Sequence, residues 1–284
     1  MPLQNMNTML RQAREGGYAV GAFNILDLNS TRAVIGAAVE LKAPVILQTS
    51  AKTVVFWGAS VLARWVESLA AECPVPVALH LDHCKDLELI RQCIQSGWTS
   101  VMIDASSRPF EENLSLTHRV VEMARPAGVS VEAELGEIGG VEDDNSVADD
   151  QARLADPGKA QLFCAQVQID CLAPAIGTAH GIYKGEPRIA FDRIAEISRR
   201  IEIPLALHGG TGLSEEVFKK CIRLGCAKVN ISTQLKHTFI DSFIAYHASN
   251  PDQYEPLKVL GCQYERLKQD AKTLIELFGG AERG

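Results

Sequence analysis

Eight times along the chain a short apolar, β-branched run gives way to an amphipathic stretch of helical spacing, and no other feature constrains the fold as tightly. The runs are YAVGAFNIL from Tyr18, APVILQTS from Ala43, VPVALHLDH from Val75, TSVMIDAS from Thr99, VSVEAELG from Val129, CLAPAIGTAH from Cys171, IPLALHGGTG from Ile203 and AKVNIST from Ala227. Between them NSTRAVIGAAVELK, LELIRQCIQSG, PFEENLSLTHRVVEMARPAG, AFDRIAEISRRI and SEEVFKKCIRLG read as helices, several stopped by a glycine just past the last turn. Near-continuous apolar strands need cover on both faces, so the sheet is parallel and the helices flank it. Eight such units predict an α/β chain, a (β/α)8 TIM barrel.

A doubly wound open sheet uses the same units. The polar residues favour the barrel: nearly every run ends, at its carboxyl side, in groups able to do chemistry. These are Asn24, Ser50, Asp82 with His83, Asp104, Glu134, His180, His208 and Asn230. In a barrel such ends converge on one face, where the active site sits. No linker splits the chain, so 1–284 is expected to be one domain. The tail 251–284 reads as a C-terminal helical extension beyond the eighth unit. The segment GEIGGVEDDNSVADDQARLADPGKA after the fifth run is long, acidic and without apolar periodicity, as lids are.

Composition narrows the function classes. Apolar residues make up 46% and charged residues 22% of 284, which fits a globular chain. A net charge of −7 with no Lys/Arg cluster argues against nucleic acid as a partner. No apolar run approaches the roughly 20 residues that span a bilayer. The start MPLQNMNTMLRQAREGG lacks a cationic segment followed by an apolar core, so a cytoplasmic location is expected and no membrane partner. The eight cysteines contain no CxxC pair and read as reduced, mostly buried thiols.

Three histidines occupy matching places: His83, His180 and His208, after the third, sixth and seventh runs. Imidazole is the commonest protein ligand of zinc, and three protein ligands with an open fourth position mark a catalytic site. His80 and Asp82, two apart on an extended strand, share a face, while His83 points the other way until the strand ends. His80 then lies one layer below Asp82 and supports it. Asp82, at the rim beside a metal-binding histidine, suits acid–base work or orientation of that ligand. The glycines of HGGTGLSEE (Gly209, Gly210, Gly212, with Thr211) and the NIST run ending in Ser232 and Thr233 lie in the two loops where barrels commonly bind phosphate. The residues alone thus predict a metal-dependent barrel enzyme acting on a phosphorylated small molecule.

The ordered set LHLDH, SVMIDAS, VSVEAELGEIGGVEDD, IGTAHGIYKGEP, LHGGTG and KVNIST resembles the class II, zinc-dependent ketose-bisphosphate aldolases, the fructose- and tagatose-bisphosphate aldolase family, over almost the whole chain. The resemblance implies reversible cleavage of a ketose phosphate to dihydroxyacetone phosphate and an aldehyde. Carried over by position, His83, His180 and His208 hold catalytic Zn2+, with Asp104 and Glu134 at a second or alternative metal position. Asp82 moves the proton of the hydroxyl beside the breaking bond, and Glu142 of the acidic lid is the carbon base. Gly181, Lys184, Gly209, Gly210, Thr211, Asn230, Ile231, Ser232 and Thr233 surround the phosphate of dihydroxyacetone phosphate. Asn24 and Ser50 complete the substrate-binding set. A monovalent cation is admitted as a second cofactor, a homodimer or homotetramer as the assembly, and a helper subunit as in tagatose-type relatives.

One departure stands out. Family members that take bisphosphates often present an arginine, usually from a neighbouring subunit, to the second phosphate from a stretch like GPGRDAIK. Here LGCQYERLK holds Tyr264 at that position and Arg266 two residues later, and tyrosine lacks the bidentate fork of arginine. Two other classes fit less well. Metal-dependent barrel hydrolases usually carry an HxH pair on the first strand, and GAFNILD has none. A non-catalytic sugar-phosphate-binding subunit predicts a broken ligand set, whereas all three histidines and Asp82 are present.

Overall fold

The computed structural model describes residues 3–142, 145–147, 154–181, 183 and 185–284, with the backbone alone for 141–142 and 145–147. Eight parallel strands close into a barrel: β1 (Val20–Asn24), β2 (Val45–Ser50), β3 (Val77–Cys84), β4 (Ser100–Ile103), β5 (Ser130–Leu135), β6 (Cys171–Pro174), β7 (Leu205–Leu207) and β8 (Cys226–Ile231). Each pairs with the next in sequence, and β8 returns to β1 with Ala22 opposite Asn230. The outer strand faces and the surrounding helices share one apolar core that runs around the barrel.

The barrel interior is filled in two ways. Its lower part is small and apolar, with Val20, Ala22, Ile46, Ala78 and Cys171 among the residues that meet there. Helix α1 (Asn7–Gly16) closes that end by inserting Met9, Leu10 and Ala13, and Arg14 donates to the carbonyls of Ser198, Ile201 and Ile203. Higher up, polar residues enter. Gln48, His80, Glu132 and Lys228 are all fully buried there, with Met102 in register beside Glu132.

Local chemistry starts the helices where the strands release the chain. Asp27 makes a capping box with Ser30 at α2 (Leu28–Glu40), and Ser50 caps α3 (Ala51–Trp57), which leads into α4 (Ala59–Ala70). Asp86 caps α5 (Leu87–Gln95), and α6 (Phe110–Ala124) follows β4. The acidic segment after β5 is more ordered than its composition suggests: Gly139–Glu142 and Asn145–Val147 pair as antiparallel strands. Its end is helical, because Asp156 caps and Pro157 opens α7 (Pro157–Val167), a helix absent from the periodicity reading.

Helices α8 (Phe191–Arg200), α9 (Glu215–Arg223) and α10 (Thr233–Ser249) complete the ring, and α11 (Pro256–Leu277) forms the extension. It lies along α2, where Lys268 and Lys272 both donate to Glu40 and Gly36 leaves room for the Tyr264 hydroxyl. All eight cysteines are free thiols. Among the described residues no helix is long and apolar enough to cross a membrane.

Candidate metal centre and active site

His83, His180 and His208 meet at the upper mouth of the barrel, their ligand atoms within 4.8 Å of one another. Extended geometry alone turns His83 away from Asp82. The register with β4 shifts between Leu81 and Cys84, and His83 takes a left-handed φ of 44°. That bulge turns the imidazole back to the mouth, so Asp82 and His83 both reach the site. His180 is not at the carboxyl end of β6 as expected. Six residues past that strand, it lies in a two-residue strand, Ala179–His180, that pairs with Gly139–Gly140. His208 follows β7 directly.

The carboxylates around the ring set its tautomers. Glu132 Oε1 lies 2.8 Å from His208 Nε2, and Asp104 Oδ2 lies 3.2 Å from His83 Nδ1. Burial pushes both carboxyls upward, but Lys228 and His208 hold Glu132 well below the carboxylate range, and His83 and Ser106 do the same for Asp104. A carboxylate only accepts, so the facing imidazole nitrogens donate. The other two, His83 Nε2 and His208 Nδ1, lie 2.7 Å apart, within hydrogen-bond distance. With both rings neutral, these are the nitrogens that offer lone pairs, so the donor set fits a divalent metal. Burial also pushes the His208 imidazolium to lower pH, which keeps the ring neutral as a ligand must be.

A second cradle joins His83 to Asp104 and Glu134. Burial first, and then Asp104, pushes the Glu134 carboxyl well upward, and its Oε2 is buried with no hydrogen-bond partner. Two crowded carboxyls and an orphaned acceptor are what a cation would relieve. Cys84 takes no part: burial raises its thiol to about 11, and it donates to the Asp86 carbonyl.

Asp82 is held from two sides. Asn230 Nδ2 donates to its Oδ1 at 3.1 Å, and Gln48 Nε2 donates to its Oδ2 at 3.2 Å and to Asn24 Oδ1 at 2.6 Å. Asn230 thus faces this carboxylate directly, and Asn24 reaches it only through Gln48. His80, beneath it, bonds Ser100 through Nδ1 at 2.7 Å and stays neutral, because burial and Lys228 oppose its charging. Glu132, Lys228 and Gln48 were not anticipated as site residues. Each lies two positions before a residue that was, a spacing that puts it one layer deeper on the same face.

Around this centre the loops pack backbone to backbone. Gly140, at φ 92°, has no room for a Cβ, which would meet the His180 carbonyl oxygen at 2.2 Å. Gly209, at φ 67°, is pressed on Ala179, whose carbonyl oxygen a Cβ would meet at 2.5 Å. Tyr183 bridges them, donating to the Gly209 carbonyl and accepting from Ala179 N–H. Gly210 packs on Phe218 and Asn230. Ile231 ends β8 and is fully buried. Ser232 is buried with an unpartnered hydroxyl, and Thr233 opens α10, so a free acceptor–donor and a helix N-terminus sit together.

A cavity of about 560 Å3 adjoins these loops, lined by Thr211, Thr233, Gln234, His237, Arg266 and Asp270. Ser50 accepts from Thr53 N–H as a helix cap. Gly181 follows His180 at φ 86°. Lys184 and the Glu142 side chain lie outside the described residues.

The comparisons with known proteins agree on one family. A family model described as fructose-bisphosphate aldolase class-II matches residues 4–283. The "Probable fructose-bisphosphate aldolase" of Bacillus subtilis (strain 168) is 44% identical over 100% of both chains. The fructose-bisphosphate aldolase of Staphylococcus aureus (strain N315) is 43% identical over 100% of this chain and 99% of its own. Among solved structures, the YdjI aldolase from Escherichia coli K12 superposes with a TM-score of 0.87 at 32% identity, covering 99% of each chain. Fructose-bisphosphate aldolase from Campylobacter jejuni gives 0.85 at 25% identity, over 98% of this chain and 95% of that one. Closed barrel, histidine cradle and full-length relatives lead to one conclusion: the chain belongs to the class-II fructose-bisphosphate aldolase family, lyases that are generally metal dependent.

Proposed function

We propose that the protein is a zinc-dependent aldolase that reversibly cleaves fructose 1,6- or tagatose 1,6-bisphosphate to dihydroxyacetone phosphate and glyceraldehyde 3-phosphate. One observation carries this reading: two imidazole nitrogens lie 2.7 Å apart beside an Asp82 carboxylate held by two amide donors. Nitrogen donors suit zinc better than magnesium or calcium, which prefer oxygen. A zinc ion in that cradle supplies Lewis acidity, which stabilises the negative charge left on the ketose half when the C–C bond breaks. Asp82 takes the proton of the hydroxyl on the aldehyde-forming carbon and returns it in condensation. Glu142 serves as the base at the carbon of dihydroxyacetone phosphate, carried by a strand that pairs with His180. The glycine loop, the Ser232 hydroxyl and the start of α10 take the phosphate.

The test is chelator dialysis followed by zinc readdition, with and without potassium for the monovalent cation. Cleavage of both bisphosphates is then followed, and condensation of dihydroxyacetone phosphate with a panel of aldehydes. Activity is expected to vanish on dialysis and to return with zinc. No zinc-dependent turnover of any member would overturn the reading.

Tyr264 favours a second reading, an aldolase of the same mechanism whose aldehyde half carries no phosphate. Its hydroxyl is tucked over Gly36 of α2, with Arg32 and Lys268 near its ring, so this position serves helix packing. Higher kcat/KM with a non-phosphorylated aldehyde than with glyceraldehyde 3-phosphate is its signature.

A homodimer is part of the proposal. Helix α10 buries one face on α11 but leaves Ile240, Phe243 and Ile244 more than half exposed, and Leu257 at the start of α11 is 74% exposed. Gln263 links the two helices by donating to the Phe239 carbonyl. A second copy is the occupant proposed for these exposed residues. Sedimentation is expected to give a dimer, and Ile244→Glu a monomer.

A further inference from the structure

Lys228 is a lysine with no exposure at all, in the upper barrel interior, and the reaction as described gives it no task. Its ammonium stands 3.0 Å from Glu132 Oε2 and donates to Asn230 Oδ1 at 2.7 Å. An ammonium has three donors and no acceptor. Asn230 must therefore turn its carbonyl oxygen to Lys228, and its Nδ2 is left to face Asp82 Oδ1. Glu132, paired with the same ammonium, faces His208 Nε2 at 2.8 Å, so that nitrogen donates and Nδ1 is left for the metal cradle.

We propose that Lys228 is a positioning residue that sets two orientations at once: the tautomer of the metal ligand His208, through Glu132, and the amide of Asn230 that holds Asp82. It touches neither substrate nor metal. Without the ammonium the Asn230 amide has no reason to keep its orientation. Flipped, it presents oxygen to oxygen at Asp82, and the carboxylate swings away from the reacting hydroxyl. Gln48 alone then holds it, from the other side.

The proposal rests on the aldolase reading, and its test separates the two. Either single change strands a buried charge, Glu132 in Lys228→Met and the ammonium in Glu132→Gln, and risks the fold, so the working pair is the wild type against Glu132→Gln with Lys228→Met. Two rates are measured at saturating zinc: cleavage, which needs Asp82, and solvent deuterium exchange into dihydroxyacetone phosphate, which does not. The double change is expected to lower the ratio of cleavage kcat to exchange rate at least ~30-fold, within the range that a positioned acid–base group supplies. The same double change made on top of Asp82→Asn is expected to lower that ratio no further, because it acts on the ratio through Asp82.

An unchanged ratio, or additive losses in the Asp82→Asn background, would overturn the role. A third measurement needs no substrate: the side-chain amide protons of Asn230, followed by NMR. They are expected to be slow to exchange in the wild type and fast in the double variant. Equal protection in the two also overturns the proposal. Wild-type protein that neither exchanges nor cleaves condemns the substrate reading instead, and the NMR comparison still decides the fate of Lys228.

Discussion

Two lysine–carboxylate clusters of similar geometry sit in opposite environments. Inside the barrel, Lys228 lies 3.0 Å from Glu132 with neither side chain exposed. On the outside, Lys268 and Lys272 each reach Glu40 at 2.8 Å, and the glutamate side chain is 45% exposed. Contact distance is therefore a poor guide to what a pair does. Desolvation offsets most of the attraction within the inner pair, which is weak evidence for stability, but its partners are captive: Glu132 orients His208 and Lys228 orients Asn230. The outer pair fastens α11 to α2 across solvent, where water and salt weaken it. One cluster specifies orientation and the other holds an extension in place.

Breaking the inner cluster on one side is expected to have the largest effect. Glu132→Ala strands the Lys228 ammonium in the interior and takes the acceptor from His208 Nε2. A loss of about 3–5 kcal/mol follows from a buried charge without its partner. Zinc affinity is expected to fall ~10–100-fold, as it does when the group behind a metal-binding histidine is removed. Denaturant unfolding of the metal-free protein and calorimetric zinc titration read the two separately. An unfolding midpoint that does not move would show that water reaches the ammonium and that the pair is not buried in solution.

The same contrast explains what was legible in the sequence. The barrel was, because continuous apolar runs alternating with helical spacing report two-sided cover directly. The three histidines and Asp82 stood at run ends and drew attention as polar interruptions. Glu132, Lys228 and Gln48 stood inside runs and passed as strand filler, although EAE, KVN and QTS each put them two positions before a rim residue. Period two, which puts His80 and Asp82 on one face, works at those places too. The direction of His83 was not legible, because the bulge comes from a register shift against β4 that no local pattern encodes. Nor was the position of His180, set by the pairing of Gly140 with a strand across the mouth. Helix α7 was legible in principle through Asp156 and Pro157, but the acidic residues before it masked its start.

An apolar neighbour of Glu132 offers a control of opposite kind. Met102 is fully buried against small apolar side chains and pairs in register with Glu132, but has no polar partner. Met102→Ala is expected to cost about 2–4 kcal/mol through lost contacts and a cavity. Zinc affinity and kcat should stay close to wild type, since no hydrogen bond to the site passes through it. A drop in zinc affinity like that of Glu132→Ala would mean that packing and orientation are mechanically coupled. Ser100→Ala gives a polar counterpart: it removes the partner of His80 Nδ1 and is expected to cost about 1–2 kcal/mol, the scale for a buried polar group left unsatisfied.

The outer cluster should give the smallest effect and the clearest dependence on conditions. Hydrogen bonds from Lys268, then Lys272, hold the Glu40 carboxyl down to about 2, against an ordinary value of 4.5. A carboxyl whose folded value is depressed adds stability that is fully present above its unfolded value and lost as pH falls through the folded one. Glu40→Gln is therefore expected to lower Tm by no more than about 2 °C at neutral pH, because exposed pairs are screened. The gap between variant and wild type should narrow from pH 4.5 toward pH 2, and it should also close in roughly 1 M salt, where the Debye length is near 3 Å. A gap that survives both acid and salt would mean that the glutamate stem packs against α11 rather than pairing with it, and the outer cluster would then resemble the inner one in being set by burial.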